Sequence, residues 1–202
     1  VLVLLLRVVQ VFRPGHEALF GTLLLTLGIL SMAVSTASIV ATHNMKRLIA
    51  YAAINHAGVI ALGLGVGGSA AYGVLLYVLC NAFIKAILFL TAGKIKAHYG
   101  SEDTRAISGL MRDLPYSGVF LLVGTFALLG LPPFGSFLGE LLILSALVGS
   151  GHLLLFAAAC VLLPMTFVAT GRTVFAMIWG EPRERREFPR QTLASAWPNL
   201  VF

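Results

Sequence analysis

The chain has 202 residues, 58% of them hydrophobic and only 11% charged, with a formal net charge of +6 and a mean hydropathy of +0.94. A soluble domain is nearer half apolar and a quarter charged, so this composition leaves too little polar surface to coat a water-soluble globule. The basic residues lie in loops between apolar runs, where membrane topology accounts for them without any nucleic-acid partner.

Six apolar segments follow one another: residues 1–12 as a partial span, then 18–42, 48–66, 70–97, 115–148 and 152–179. A spanning helix needs roughly 20 mostly apolar residues. Backbone groups cannot be left unpaired in lipid, and long runs without strict alternation favour helices over a barrel. The fold expected is an all-α membrane protein, a polytopic bundle of about six spans within residues 1–190, with 191–202 beginning a further span. The chain opens and closes inside apolar runs, so it reads as part of a longer polytopic protein.

Loop charges test this count. If each segment crosses, one side receives Lys46, Arg47, Lys94, Lys96, Arg105, Arg112, Arg183, Arg185, Arg186 and Arg190, and the other only Arg13. The positive-inside rule places the loops at 43–47, 94–114 and 180–190 in the cytoplasm of a cell with the protein in its inner, or plasma, membrane. The mixed-charge stretch after Gly180 is expected to be a solvated loop near lipid headgroups. Arg7 and Arg172 stand in apolar runs near segment ends, where a long side chain snorkels to water.

The segment 115–148 is too long, about 50 Å as one helix against a hydrocarbon core of about 30 Å. Its middle reads Leu131-Pro132-Pro133-Phe134-Gly135. Two prolines remove two backbone donors and force a break or a kink. Broken helices at membrane depth build ion sites in transporters. Pro132, Pro133 and Gly135 are therefore the expected hinge. Gly63 to Gly68 lacks the Lys-Ser/Thr ending of a phosphate loop and reads as a tight turn. Cys80 and Cys160 have no metal-ligand spacing and read as small buried hydrophobes.

Three ionisable residues stand where lipid is expected: His56, Lys85 and Glu140. Such groups are expensive unless paired or hydrated, and they mark ion pathways. At ~7 Å and an effective dielectric of ~20, a Lys–Glu pair interacts by about 2.4 kcal/mol, enough for one charge to change the other's proton affinity. Lys85 and Glu140 are thus expected on one hydrated polar path, or else as a static ion pair between helices. His56 suits proton exchange near neutrality, or a hydrogen bond to a neighbouring helix. His43 and His152 fall at interfaces.

Three motifs carry a family resemblance. Met45-Lys46-Arg47-Leu48-Ile49-Ala50-Tyr51, continuing to Asn55-His56-Ala57-Gly58, resembles a signature of the antiporter-like membrane subunits of complex I, Mrp-type sodium/proton antiporters and membrane-bound hydrogenases. Asn81-Ala82-Phe83-Ile84-Lys85-Ala86-Ile87-Leu88-Phe89-Leu90 is similar to a second, and Gly130-Leu131-Pro132-Pro133-Phe134-Gly135 with Gly139-Glu140 to a third. Thr104-Arg105 with Gly109-Leu110, and the tail after Gly180, look most like the hydrogenase-4 component F type.

The resemblance implies two inverted repeats, each with a broken helix, of which this chain would hold the end of the first and most of the second. It implies proton movement along a mid-membrane polar axis through Lys46, His56, Lys85 and Glu140, coupled to redox chemistry elsewhere in a hydrogenase or complex I-like assembly of other membrane subunits. No cofactor or metal is expected in the chain itself, and it would be a subunit of an oxidoreductase complex without a redox centre of its own. The family often has His where Asn81 stands, sometimes His at Tyr77, and usually Asp at Asn44. Two other readings remain: an Mrp-type subunit exchanging Na+ for H+, and a membrane scaffold that transports nothing.

Overall fold

The computed structural model describes residues 17–180. The first expected segment, the loop beyond Gly180 and the start of a further span lie outside these residues. The order is α1 (Glu17–Ala41), α2 (Met45–Val66), a 3-10 turn (Gly68–Ala70), α3 (Ala71–Tyr99), α4 (Leu110–Asp113), α5 (Pro115–Leu128), α6 (Gly135–Gly149) and α7 (Leu153–Trp179). All the regular structure among the described residues is helical. Helices α1, α2, α3 and α7 are long and apolar enough to cross a membrane. Their outer faces expose Leu27, Leu30, Leu75, Phe83 and Leu154, the inverse of a water-soluble surface. The fold is an all-α polytopic membrane bundle.

The segment 115–148 is two helices, not one kinked one. Helix α5 has 14 residues and α6 has 15, about 21–23 Å each at 1.5 Å per residue, so neither half crosses alone. Pro132 and Pro133 lie in the break, and Gly135 is the first residue of α6. The break closes on itself: Leu131 N–H donates to Phe126 O at 3.1 Å and Phe134 N–H to Leu131 O at 3.0 Å. The Ser136 hydroxyl, buried in the first turn of α6, donates to Ala127 O of α5 at 2.6 Å and ties the halves together.

Glycine lets two helix pairs approach closely. A Cβ on Gly28 of α1 would lie 2.9 Å from the carbonyl oxygen of Gly58 on α2, and one on Gly58 would lie 2.7 Å from that of Gly28. Gly73 of α3 and Gly139 of α6 meet in the same way, each prospective Cβ 3.0 Å from the other's carbonyl oxygen. Small residues at such crossings substitute backbone packing for the hydrophobic force that lipid cannot supply.

The two ends of the bundle have separate apolar cores. One gathers Ile39, Met45, Leu88, Ile95, Leu121 and Met177. The other gathers Leu25, Leu62, Val74, Ile143 and Leu147. At the first end the connections are stitched: Met45 N–H donates to Glu102 O and Thr104 N–H to His43 O, at 2.9 and 2.8 Å. Gly180 sits against Ser108. The connections around residues 43–45 and 102–104 therefore meet at one end of the bundle.

Several boundaries differ from the sequence reading. Helix α3 runs past Ala97 to Tyr99 before Gly100 caps it with φ +68, so Lys94 and Lys96 ride on its last turns and not in a loop. Lys46 and Arg47 likewise belong to the first turn of α2, because the Asn44 side chain caps the Arg47 N–H at 3.1 Å. Cys160 is exposed on α7 and not buried.

Candidate functional site

Between the two apolar cores lies a layer of buried polar side chains. Asn55 and His56 on α2, Tyr77 and Asn81 on α3, Thr36 on α1, Ser136 on α6 and Thr166 on α7 are all nearly inaccessible. Buried polar groups persist when hydrogen-bonded, and these are. Thr36 and Thr166 share a hydrogen bond of 2.8 Å between hydroxyls. The Asn55 amide donates to Thr166 at 2.6 Å and to Thr36 at 3.3 Å, joining three helices. His56 Nδ1 is hydrogen-bonded to the Tyr77 hydroxyl. The Asn81 amide donates to the Tyr77 carbonyl at 2.9 Å, while its Oδ1 has no protein partner.

Glu140 reaches this layer because the helix is broken. Gly130 has φ +65, and a Cβ there would lie 2.6 Å from Glu140 Oε2, so the carboxylate packs against the bare backbone of the break. Glu140, Asn55, His56 and Thr166 line one partly open cavity of about 240 Å³, whose other walls are apolar side chains such as Leu128, Leu163 and Phe167. That is room for several waters, with polar partners to hold them. Pro164 also lines it, inside α7, where its missing N–H leaves one helix carbonyl without its usual donor.

Lys85 is half-buried on α3, one turn beyond Asn81. Among the described residues neither Lys85 nor Glu140 forms an ion pair. The two are therefore not a static bridge. Lys85 follows Tyr77 and Asn81 at four-residue spacing, on the same face of α3.

Lys46 stands apart from this layer, ten residues before His56 and so about 15 Å along α2. Its ammonium pairs with Glu102 Oε1 at 2.9 Å, and Lys96 pairs with the same oxygen at 2.7 Å. The Asn44 amide donates to Glu102 Oε2 at 3.1 Å. Hydrogen bonds from Lys96, Lys46 and Asn44 hold the Glu102 carboxyl down at about 2.

The model of the family described as NADH:quinone oxidoreductase/Mrp antiporter, transmembrane, matches residues 2–166. The chain belongs to this family. It is 31% identical over 172 residues to a hydrogenase-4 component F homolog of Methylacidiphilum infernorum, covering 83% of this chain and 35% of that one. It is 27% identical over 178 residues to the putative antiporter subunit mnhD2 of Staphylococcus aureus, covering 88% and 36%. In structure it is similar to a chain of respiratory complex I from Thermus thermophilus, with a TM-score of 0.82 at 27% identity, over 93% of this chain and 40% of that one. A chain of the Mrp complex from Dietzia has the same fold, with a TM-score of 0.78 at 22% identity over 88% and 35%. The chain thus spans little more than a third of its relatives' length.

Within this antiporter-like family, the structure gathers His56 and Glu140 around one cavity, places Lys85 on the same face of α3 as Tyr77, and leaves Lys46 at the bundle end. No group of three or more His, Cys, Asp or Glu suited to a metal occurs among the described residues. The sequence reading did not single out Thr36, Thr166, Ser136 or Glu102. Lone hydroxyl residues in apolar runs carry little signal, because many simply bond their own helix backbone. Tyr77 was noted only as a departure from a family histidine, yet its hydroxyl is what His56 holds.

Proposed function

We propose that this chain is the proton-carrying part of an antiporter-like membrane subunit in a redox-driven complex of hydrogenase-4 or complex I type. The observation that carries the reading is Glu140, set against a broken helix and sharing a cavity with His56, Asn55 and Thr166. Protons enter from the basic end, near Lys46, and pass along water and side chains at His56, Tyr77 and Lys85. Glu140 takes up and releases the proton toward the opposite end. The basic end is the cytoplasmic one, by the positive-inside rule. Redox chemistry elsewhere in the assembly drives the transport, other membrane subunits are its partners, and this chain contributes no redox centre.

The test is proton pumping by the full-length subunit in its complex, reconstituted in vesicles. Glu140→Gln and Lys85→Met are expected to abolish acidification while the complex still assembles. Normal pumping in both variants would overturn the proposal and leave a scaffold. The likeness to a putative antiporter subunit favours a second reading, Na+/H+ exchange. Rescue of a sodium-sensitive strain, lost in the same variants, would select it.

A further inference from the structure

A second cavity, of about 830 Å³, lies between the last turn of α1 and the C-terminal half of α7, under the connection that follows α3. Its walls are apolar: Ile39 and Val40 on α1, Met165, Val168 and Ala169 on α7. Val40, Met165 and Val168 are all more than half exposed, at 61%, 51% and 54%. Its rim carries two cations, Arg105 and Arg172, with His43 against Arg105. An apolar groove that ends in positive charge at a membrane surface has the polarity of one kind of ligand.

The chemistry of the mouth narrows that ligand. Arg105 and Arg172 make no ion pair with a carboxylate among the described residues. The nearest acid in sequence, Asp103, accepts the Arg105 backbone N–H at 2.9 Å instead. Arg105 Nη2 lies 2.6 Å from His43 Nε2. A guanidinium has no acceptor, so Nε2 must accept and the ring proton sits on Nδ1. The Nδ1–H then points away from Arg105, and the role of His43 is to hold that guanidinium in place. Depth agrees as well: Phe175 stacks on the exposed Trp179, with ring centres 5.4 Å apart, at the level where aromatic belts sit. Arg172 lies about two turns deeper and can reach up along α7.

We propose that the α1–α7 groove binds one anionic phospholipid, its phosphate held by Arg105 and Arg172, and an acyl chain laid against Val40, Met165 and Val168. Basic pockets between membrane helices recognise anionic headgroups through such charge complementarity. Loop 100–109 sets the site, because its hydrogen bonds to His43 and Met45 hold Arg105 over the groove. The assignment is independent of what ion the polar layer moves.

The test uses the full-length subunit in its complex, delipidated in detergent and titrated with phosphatidylglycerol or phosphatidylcholine of identical chains, with bound lipid counted by native mass spectrometry. Phosphatidylglycerol is expected to bind about tenfold tighter, as two cations near the surface allow. The double variant R105Q/R172Q should lose that preference and R105K/R172K should keep most of it. Met165→Trp, which fills the groove and leaves the cations, should lower occupancy by both lipids. Millimolar inorganic phosphate should displace neither, which separates a lipid site from a free-anion site. Equal binding of the two lipids, an unchanged preference in R105Q/R172Q, or a photoreactive acyl chain that cross-links away from Met165 and Val40 would overturn the proposal. A protein helix cross-linked in the groove would do the same.

Discussion

The imidazole of His56 on α2 is hydrogen-bonded to the phenol of Tyr77 on α3, and the two rings stand 5.5 Å apart, tilted by 45°. Both side chains are buried. The pair joins two helices at the level where Glu140 enters from the broken one.

Removing the phenol oxygen isolates this contact. Tyr77→Phe is expected to cost about 0.5–1.5 kcal/mol, the net worth of an ordinary hydrogen bond, rising toward 1–3 if the imidazole is left unsatisfied. Transport should slow because His56 loses its partner, while the protein still inserts. Thermal unfolding in detergent and vesicle acidification measure the two effects separately. Unchanged acidification would remove Tyr77 from the pathway.

Gly130→Ala probes the break. The residue has φ +65, where a side chain costs about 1–2 kcal/mol, and the new Cβ would fall 2.6 Å from Glu140 Oε2. The carboxylate must move out of its seat. Acidification is expected to fall much further than the stability change alone explains. Gly135→Ala, whose Cβ meets Cys80 Sγ and not Glu140, is the control: it should disturb packing and spare the carboxylate.

Gly58→Ala tests the α1–α2 crossing, two residues beyond His56 on α2. Its Cβ would sit 2.7 Å from Gly28 O, backbone that a rotamer change cannot relieve. Overpacking of this type costs typically 1–3 kcal/mol, read as a lower unfolding midpoint in detergent. A neutral result would show that α1 and α2 slide freely.

Glu102 gives a pH dependence at the bundle end. Its carboxyl is held at about 2 by hydrogen bonds from Lys96, Lys46 and Asn44, against about 4.3 in an unfolded chain. A depressed folded value stabilises above the unfolded value, and the contribution fades as pH falls from about 4.3 toward 2. Glu102→Gln is thus expected to be slightly less stable than the parent at pH 7, by the small amount exposed pairs provide, and indistinguishable from it near pH 2. Thermal midpoints across that range check the convergence.

Much of this architecture was legible in the residues. The span positions followed from apolar run length, because lipid tolerates only internally bonded backbone. The break followed from Pro132 and Pro133. Lys94 and Lys96 misled, since a charge near a membrane surface does not end a helix and Gly100 does. The distinction between a kink and a true break was not decidable either, because it rests on tertiary hydrogen bonds such as the one from Ser136 to Ala127 O, which ties the two halves together.

The sequence by itself determined that this chain crosses a membrane, where it crosses, and that Lys85, His56 and Glu140 lie within the crossing segments, since composition and run length set those outcomes locally. Only the tertiary structure decided which of them meet. Helix rotation and close approach are fixed by contacts between distant glycines, Gly28 with Gly58 and Gly73 with Gly139, and no periodicity in an all-apolar helix reveals which face turns inward. Those contacts put Tyr77 on His56 and Glu140 beside Asn55, and they leave Lys85 without the carboxylate partner that charge alone would have assigned it.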